Sequence, residues 1–295
     1  MNLKADLHVH STASDGRLAP AQLVREAARV GLSVLAITDH DSIEGIPGAI
    51  EAARDYPGLL LVPGVEINTD VPGTEVHILG YCMKYQEVKL GKALSGLQDE
   101  RLERGQQMVV KLADIGIHID WNRVRGLAGG GAVGRPHVAQ AMLEAGYVKS
   151  MSEAFDKYIG RNGPAYVERG KITPEKAVEL IVSAGGFAVL AHPHSFDIER
   201  LEKLLQSLML VGLSGLEVYY DGRTLSEVSW LVSLAQQKGL LLSGGSDFHG
   251  FGDDQETPVG RTEIPSGCVE EFIRRVGKHS PGLLKSWTLA SSRSN

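Results

Sequence analysis

Nine side chains of metal-ligating type lie in short motifs that are spread over almost the whole chain. Six are imidazoles and three are carboxylates: His8, His10, Asp15, His40, Glu66, His77, His192, Asp247 and His249. Such a mixture of nitrogen and oxygen donors suits borderline divalent ions such as zinc, manganese or iron. Because these residues are far apart in sequence, one closed fold must gather them, and we expect a metal centre where they meet.

The spacing of the histidines supports this interpretation. His8 and His10 are two residues apart and therefore share one face of a strand end, and Asp247 and His249 repeat that spacing near the other end of the chain. A single histidine is more often structural than metal-binding. Here, however, six of the 10 histidines stand at the end of an apolar run or just beyond it.

The elements that must position these residues alternate between strand and helix. Apolar runs predict strands at 3–8, 33–38, 59–63, 76–81, 188–191, 215–219 and 240–243. Helical patterns fall at 20–30, 46–55, 174–184, 198–211, 224–238 and 269–276. Seven strands in this rhythm predict an α/β fold with a closed barrel, whose active site forms at the carboxyl ends of the strands.

The middle of the chain breaks this rhythm. Residues 88–167 are helical and charged, with helices expected at 90–114, 135–145 and 151–159 and a glycine-rich loop at 126–131. We interpret this segment as an inserted, mainly helical substrate-recognition domain that covers the mouth of the site. The barrel then consists of residues 1–87 and 168–295.

Composition excludes several classes of function. The net charge of −6 argues against a protein that binds duplex nucleic acid nonspecifically. Cys82 and Cys268 have neither metal-type spacing nor a disulfide framework. Without a secretion signal or a membrane-length apolar run, the expected location is cytoplasmic, with no membrane or protein partner. Residues 291–295 are expected to fray.

The motifs around the nine residues resemble those of the PHP (polymerase and histidinol phosphatase) superfamily of metal-dependent phosphoesterases. They are Asp-Leu-His-Val-His-Ser at 6–11, Thr-Asp-His-Asp at 38–41, Gly-Val-Glu at 64–66, His77, Ala-His-Pro at 191–193 and Gly-Ser-Asp-Phe-His at 245–249. The resemblance covers nearly the whole chain and shows no departure at a ligand position. It implies a distorted seven-stranded β/α barrel.

The resemblance also implies how the ligands are shared among two or three divalent ions, manganese first and zinc or iron as alternatives. One ion is held by His8, His10, Glu66 and Asp247, a second by Glu66, His77 and His192, and a third by Asp15, His40 and His249. The implied reaction is hydrolysis of a phosphate ester by a metal-bridged hydroxide. Asp15, Asp247 and His249 are the candidate catalytic residues.

Three arginines of the insertion are candidates for binding a phosphorylated substrate. Arg101 and Arg104 are three residues apart and would face the same side of a helix, and Arg135 precedes Pro136 at a predicted helix start. These features are similar to one PHP branch, which acts on 3′,5′-bisphosphonucleotides and trims short RNA from its 5′ end. The similarity implies substrate contacts by Arg101, Arg104, Arg135, Pro136 and His249, and cleavage of the 5′ phosphoester.

Other interpretations stay open at this point. Histidinol-phosphate phosphatase is an alternative within the family, and a metal-dependent amidohydrolase or a non-catalytic metal-binding PHP module is an alternative outside this reaction class. The roles of His137 and His194 are undecided, whereas His118 and His279 are expected to be structural or superficial. One or two of Asp6, Asp39 and Asp41 are expected to orient a ligand imidazole.

Overall fold

The structure is a computed structural model that describes residues 3–71, 73–168, 172–193, 197–251 and 256–291, with side chains up to residue 287. His194 and residues 292–295 of the predicted frayed tail lie outside the described residues.

Seven strands form one curled sheet in sequential order. They are β1 (Ala5–Val9), β2 (Val34–Ile37), β3 (Leu60–Val71), β4 (Thr74–Tyr81), β5 (Phe187–Leu190), β6 (Leu213–Tyr219) and β7 (Leu241–Gly244). The segment after β7 pairs with β1, since the Asp247 amide donates to the His8 carbonyl (2.9 Å) and the His10 amide to the Phe248 carbonyl (2.9 Å). The expected α/β fold, a distorted seven-stranded barrel, is confirmed.

The strand order confirms the prediction, but the strand directions do not follow a uniform βα rhythm. β1, β2 and β3 are parallel, as are β5, β6 and β7, whereas β4 is antiparallel to both of its neighbours. β3 passes its predicted end at Pro63 and continues to Val71, where a turn through Gly73 (φ 88°) starts β4. Pro63 and Gly64 looked like a strand end in the sequence, yet both lie in the ladder.

This long hairpin changes the position of two candidate ligands. Glu66 and His77 lie within β3 and β4, not at strand ends. Asn68 is directly opposite His77 in the ladder, so that Glu66, two residues before Asn68, shares a face with His77. The hairpin therefore brings a carboxylate and an imidazole into the barrel mouth.

The described residues also form eleven α-helices. They are α1 (Pro20–Arg29), α2 (Gly45–Ala53), α3 (Val88–Asp114), α4 (Trp121–Leu127), α5 (Arg135–Glu144), α6 (Met151–Ala154), α7 (Pro174–Ser183), α8 (Ile198–Leu210), α9 (Leu225–Gln237), α10 (Ser266–His279) and α11 (Pro281–Ser291). A π-helical turn at Phe155–Ile159 continues α6. The sequence patterns did not predict α4, which is short, or α11, which begins with the turn-forming pair Pro281-Gly282.

Helices α3–α6 lie between β4 and β5, within the predicted insertion. The start of α3 packs Leu90, Leu94 and Leu97 into the core around β3–β6. Its end packs Leu112 into a separate apolar cluster with residues of α4 and α5 such as Val124 and Met142. One helix thus connects the barrel to the inserted helices, whose boundaries at 88 and 167 stay a prediction.

The described residues include no helix with the length and apolarity needed to cross a bilayer.

Candidate metal centre

The first group of candidate ligands gathers where β1 meets the segment after β7. His8 and His10 are fully buried. The His8 Nε2 atom lies 3.2 Å from Glu66 Oε2 and 3.3 Å from Asp247 Oδ1. The His10 Nε2 atom lies 3.3 Å and 2.9 Å from the same two oxygens. Two imidazoles from one strand therefore face two carboxylates that the barrel brings from β3 and from beyond β7.

A second group surrounds the other oxygen of Glu66. Glu66 Oε1 is 2.7 Å from His77 Nδ1 and 3.0 Å from His192 Nε2, and these two nitrogens are 3.3 Å apart. Glu66 thus directs Oε2 to the first group and Oε1 to the second, which is the arrangement of a bridging carboxylate.

The third group is more widely spaced. Asp15 Oδ1 lies 3.5 Å from His249 Nε2, and Asp15 Oδ2 lies 3.9 Å from His40 Nε2. The other ring nitrogen of His40 is 2.8 Å from Glu66 Oε2, so His40 lies between the first and third groups. All nine residues singled out in the sequence therefore lie in one continuous cluster, and their assignment to individual ions stays a prediction.

The buried atoms of this cluster fit divalent ions. Five of them have no hydrogen-bond partner among the described residues: His8 Nε2, His10 Nδ1, Asp15 Oδ1, His40 Nδ1 and Glu66 Oε2. His8 Nε2 and His40 Nδ1 lie 3.2 Å and 2.8 Å from Glu66 Oε2, yet neither forms a hydrogen bond with it. Buried polar atoms without partners are costly, and ions that accept nitrogen and oxygen ligands would satisfy them.

The pKa shifts in the cluster indicate which positive charges the ions would replace. Burial favours neutral His10, but the hydrogen bond to Asp247 and the nearby Glu66 carboxylate raise its pKa to about 10. Burial, with a smaller effect of the His10 charge, instead lowers the pKa of His40 to about 4, although the Glu66 and Asp15 carboxylates oppose this shift. Despite burial, the surrounding imidazoles hold the pKa of Glu66 and Asp247 well below the usual range. A protonated His10 therefore balances carboxylates that a divalent ion could balance instead.

Glu217, which the sequence analysis missed, orients two of the candidate ligands. This fully buried residue of β6 lies 3.1 Å from His8 Nδ1 and accepts a 2.7 Å hydrogen bond from the His192 amide. A carboxylate hydrogen-bonded to the outer nitrogen of an imidazole fixes the tautomer and ring orientation of a metal ligand. The one signal in the sequence was an acidic residue within the apolar run around Leu216 and Val218.

Two of the three aspartates considered for such an orienting role, Asp39 and Asp6, support loops. Asp39 accepts hydrogen bonds from the Ser11 amide (2.7 Å), the Ser11 hydroxyl (2.7 Å) and the Ser14 hydroxyl (2.8 Å), which fixes the loop that carries Asp15. Asp6 accepts from the Ser246 amide (2.9 Å) and hydroxyl (2.7 Å) next to Asp247. These hydrogen bonds go to backbone amides and serine hydroxyls, not to the ligand imidazoles.

Backbone strain concentrates at the centre. Asp41, His192 and Asp247 have positive φ angles of 49°, 21° and 54°, a region that residues with side chains rarely adopt. Two of the three are candidate ligands. Such strain persists only where the surrounding structure enforces it, and it is typical of functional sites.

The three predicted substrate arginines project from the inserted helices toward the β3–β4 hairpin. Arg101 donates from Nε to Asp41 Oδ2 and from Nη2 to Asn68 Oδ1, both at 2.6 Å, and is 8% exposed. Arg135 Nη2 lies 2.5 Å from Glu75 Oε2. Arg104 donates to the Val167 carbonyl (2.8 Å) and lies 3.4 Å from Glu75 Oε1. Hairpin acceptors thus hold these guanidiniums near the candidate ligands.

A small cavity of about 110 Å³ joins the two sets of residues. Its lining includes candidate ligands and all of the predicted substrate residues: Asp15, His40, His77, His249, Arg101, Arg104, Arg135 and Pro136.

His137, whose role the sequence left undecided, is largely buried beside this cavity. Its Nδ1 accepts a 2.9 Å hydrogen bond from the Gly134 amide, and burial lowers its pKa. A neutral His137 therefore caps the start of α5. His118 and His279 are exposed.

Comparisons with known proteins agree with this geometry. A model of the PHP domain family matches residues 6–161. The chain is 37% identical to the 5′-3′ exoribonuclease Rnm of Salmonella typhimurium over 83% of this chain and 84% of that protein. It is 35% identical to a 3′,5′-nucleoside bisphosphate phosphatase of Chromobacterium violaceum, over 89% of this chain and 93% of that protein.

A solved structure from Chromobacterium violaceum, an amidohydrolase with bound sulfate and no metal, superimposes with a TM-score of 0.85 at 33% identity. The match covers 92% of this chain and 96% of that one. The expected hydrolase class is confirmed by these comparisons, and so is the resemblance noted in the sequence. The chain belongs to the PHP domain family of metal-dependent phosphoesterases.

Proposed function

We propose that this enzyme hydrolyses a phosphate ester of 3′,5′-bisphosphonucleotides and of short 5′-phosphorylated RNA. The observation that carries the proposal is the small cavity, in which candidate metal ligands and three guanidiniums face one another. A substrate with two phosphates fits this arrangement because one phosphate can lie at the metal centre while arginines bind the other. The activities named for two relatives support the same substrate class.

The metal content that we propose is two or three divalent ions, manganese foremost. His8, His10, Glu66 and Asp247 would hold the first ion, Glu66, His77 and His192 the second, and Asp15, His40 and His249 the third. Bound ions would supply Lewis acidity and a water molecule of lowered pKa.

The residues of the chain itself bind and orient the substrate. Arg101, Arg104 and Arg135 would take the phosphate that is not cleaved, and Pro136 would hold the start of α5 against it. The pair of Arg135 with Glu75 already places one guanidinium at the cavity wall. Asp15, Asp247 and His249 would orient the reacting phosphate.

The bond to be broken follows from the chemistry that the two substrates share. The sequence analysis placed it at the 5′ phosphoester. Removal of the first nucleotide of an RNA, however, breaks the ester on its 3′ oxygen, and a bisphosphonucleotide carries a phosphate at that same oxygen. We therefore place the 5′ phosphate against the arginines. Water oxygen forms the new bond to phosphorus, the bond to the 3′ oxygen breaks, and that oxygen receives a proton.

The alternative functions fit the cavity less well. Histidinol phosphate carries one phosphate and a cationic amine, which three guanidiniums would repel. A metal-dependent amidohydrolase often uses a carbamylated lysine as the bridging group, whereas here Glu66, which contacts both His77 and His8, would take that role. A non-catalytic PHP module would not need to retain all nine ligand residues.

Product analysis with manganese-loaded protein tests the proposal. We would offer adenosine 3′,5′-bisphosphate, a 5′-phosphorylated RNA pentamer and histidinol phosphate in parallel. We expect 5′-AMP from the bisphosphate and nucleoside 5′-monophosphates from the RNA, loss of turnover in Asp247→Ala, and normal turnover in Asp114→Ala, which removes an exposed carboxylate. Release of 3′-AMP would restore the 5′ ester as the cleaved bond, and turnover of histidinol phosphate alone would disprove the proposed substrate class.

A further inference from the structure

A second, larger cavity adjoins the metal centre. Its volume is about 300 Å³, and it lies between the turn of the β3–β4 hairpin and the segment that follows β5. His77 and Arg135 line both cavities, and His192 lines only the larger one. A substrate whose phosphate lies at His77 and His192 can therefore extend in two directions.

The two cavities differ in volume and therefore suit different parts of a substrate. A cavity of about 110 Å³ accommodates a phosphate group, whereas about 300 Å³ is at the lower limit of cavities that bind whole small molecules. In the proposed reaction, the 5′ phosphate of the first nucleotide occupies the smaller one. The larger cavity lies beyond the cleaved bond, where an RNA has its second nucleotide and a bisphosphonucleotide has none.

Two guanidiniums, those of Arg135 and Arg161, line the larger cavity, and an aromatic ring outside this lining packs against Arg161. Arg161 lies 5.7 Å from the Tyr166 ring, whose other neighbour is the Arg104 guanidinium at 5.3 Å. The buried Tyr166 hydroxyl has no hydrogen-bond partner among the described residues. A positively charged groove that follows the backbone is one way in which proteins bind single strands without reading their sequence, and the guanidiniums of the lining would supply such charge.

The charge balance favours an anion. The described residues that line the cavity include two guanidiniums, Arg135 and Arg161, and one carboxylate, Glu75, which pairs with Arg135. The wall therefore keeps one positive charge in excess. Arg161 is paired with Asp70 yet 29% exposed, so that part of its guanidinium remains accessible from the cavity.

From this arrangement we infer that the larger cavity binds the second nucleotide of an RNA substrate and that Arg161 is a specificity-determining residue for RNA over bisphosphonucleotides. The inference rests on the proposed function, because it takes the cleaved bond to lie at the metal centre. Both substrate classes would use the small cavity, and only RNA would also use the large one.

Two variants separate this role from a structural one. Arg161→Gln removes the guanidinium, and Asp70→Asn breaks the same ion pair but keeps the guanidinium. We expect Arg161→Gln to lower the ratio of kcat/KM for the RNA pentamer to kcat/KM for the bisphosphate by about tenfold or more, as for loss of a charge-assisted hydrogen bond. Asp70→Asn should retain this ratio. Arg274→Gln, which breaks an exposed ion pair with Glu271, is the matched control.

Equal effects of Arg161→Gln and Asp70→Asn would overturn the inference, because the ion pair itself would then be the cause. Equal loss on both substrates would overturn it as well. Fluorescence anisotropy with the pentamer in an Asp247→Asn background gives a readout without turnover. There we expect Arg161→Gln to weaken binding about tenfold. Unchanged affinity would disprove the RNA site, whereas failure of the proposed function would show as absent turnover of both substrates by the unmodified enzyme.

Discussion

At the scale of single residues, the centre depends on carboxylates that have different tasks despite similar burial. Glu66 directs its two oxygens to different groups of imidazoles, whereas Glu217 contacts the outer nitrogen of His8 and the amide of His192. Glu217 is therefore a positioning residue. Its loss would leave both ligands in place but free to rotate.

We expect Glu217→Gln to bind manganese about 10 to 100 times more weakly than the unmodified protein, the usual effect of losing such a partner. The amide can still accept from the His192 amide, so the fold should persist. Calorimetric titration of metal into chelator-treated protein measures the affinity, and circular dichroism checks the fold. Glu227→Gln, on the exposed start of α9, is the control. Unchanged affinity in Glu217→Gln would show that packing alone orients His8.

At the scale of elements, the glycine-rich loop connects the inserted helices to the barrel. The Ala132 amide donates to the Ala13 carbonyl (3.3 Å), next to the loop that carries Asp15. A Cβ atom on Gly131 would lie 2.6 Å from the Thr12 carbonyl oxygen, so only glycine permits this approach. The loop thus sets how closely the arginines approach the metal centre.

Gly131→Ala should therefore separate the two elements. The clash involves backbone atoms that cannot rotate away, and overpacking of this kind costs about 1–3 kcal/mol. We expect a lower Tm and a raised KM for the bisphosphate, because Arg101 and Arg135 move away from the metal centre. Gly126→Ala places its Cβ in open space and should leave KM unchanged. If Gly131→Ala behaves like Gly126→Ala, the loop does not control the distance between the arginines and the metal centre.

The elements also show which features sequence patterns can predict. Strands such as β2 and β5, with uninterrupted apolar runs, were predicted to within about two residues at each end. The end of β3 was not, because Pro63-Gly64 is a local turn signal that the antiparallel pairing with β4 overrides. Glu217 has only the weak signal of an acidic residue within an apolar run, and the acceptors of the arginines have none, since their roles arise from tertiary contacts.

At the scale of the whole molecule, the metal centre forms only when the barrel closes. His8 and Asp247 meet only when β1 pairs with the segment after β7, and a Cβ atom on Gly245 would lie 2.5 Å from the His8 Cβ. Ligands from residue 8 to residue 249 therefore exist as a set only in the folded chain. Metal that binds this set and not the unfolded chain must stabilise the fold.

The protonation of the centre makes this stabilisation depend on pH. In the metal-free protein the pKa of His10 is about 10, above the 6.5 of an ordinary histidine. Its proton therefore stabilises the fold below pH 6.5, and this contribution is lost as pH rises through 10. His40, with a pKa of about 4, is already neutral near pH 7. A metal ion needs neutral imidazole, and it must therefore displace the His10 proton but none from His40.

We expect manganese binding at pH 7 to release at least one proton and the apparent affinity to rise about tenfold per pH unit for each proton released. Calorimetry in buffers of different ionisation enthalpy measures the release directly. Chelation should lower Tm, and by more at pH 8.5 than at pH 6.5. At pH 8.5 the metal binds more tightly, and the His10 proton that replaces it contributes less to the stability of the fold. Metal binding without proton release would mean that His10 is neutral in the metal-free protein and that its neighbours balance their charges in another way.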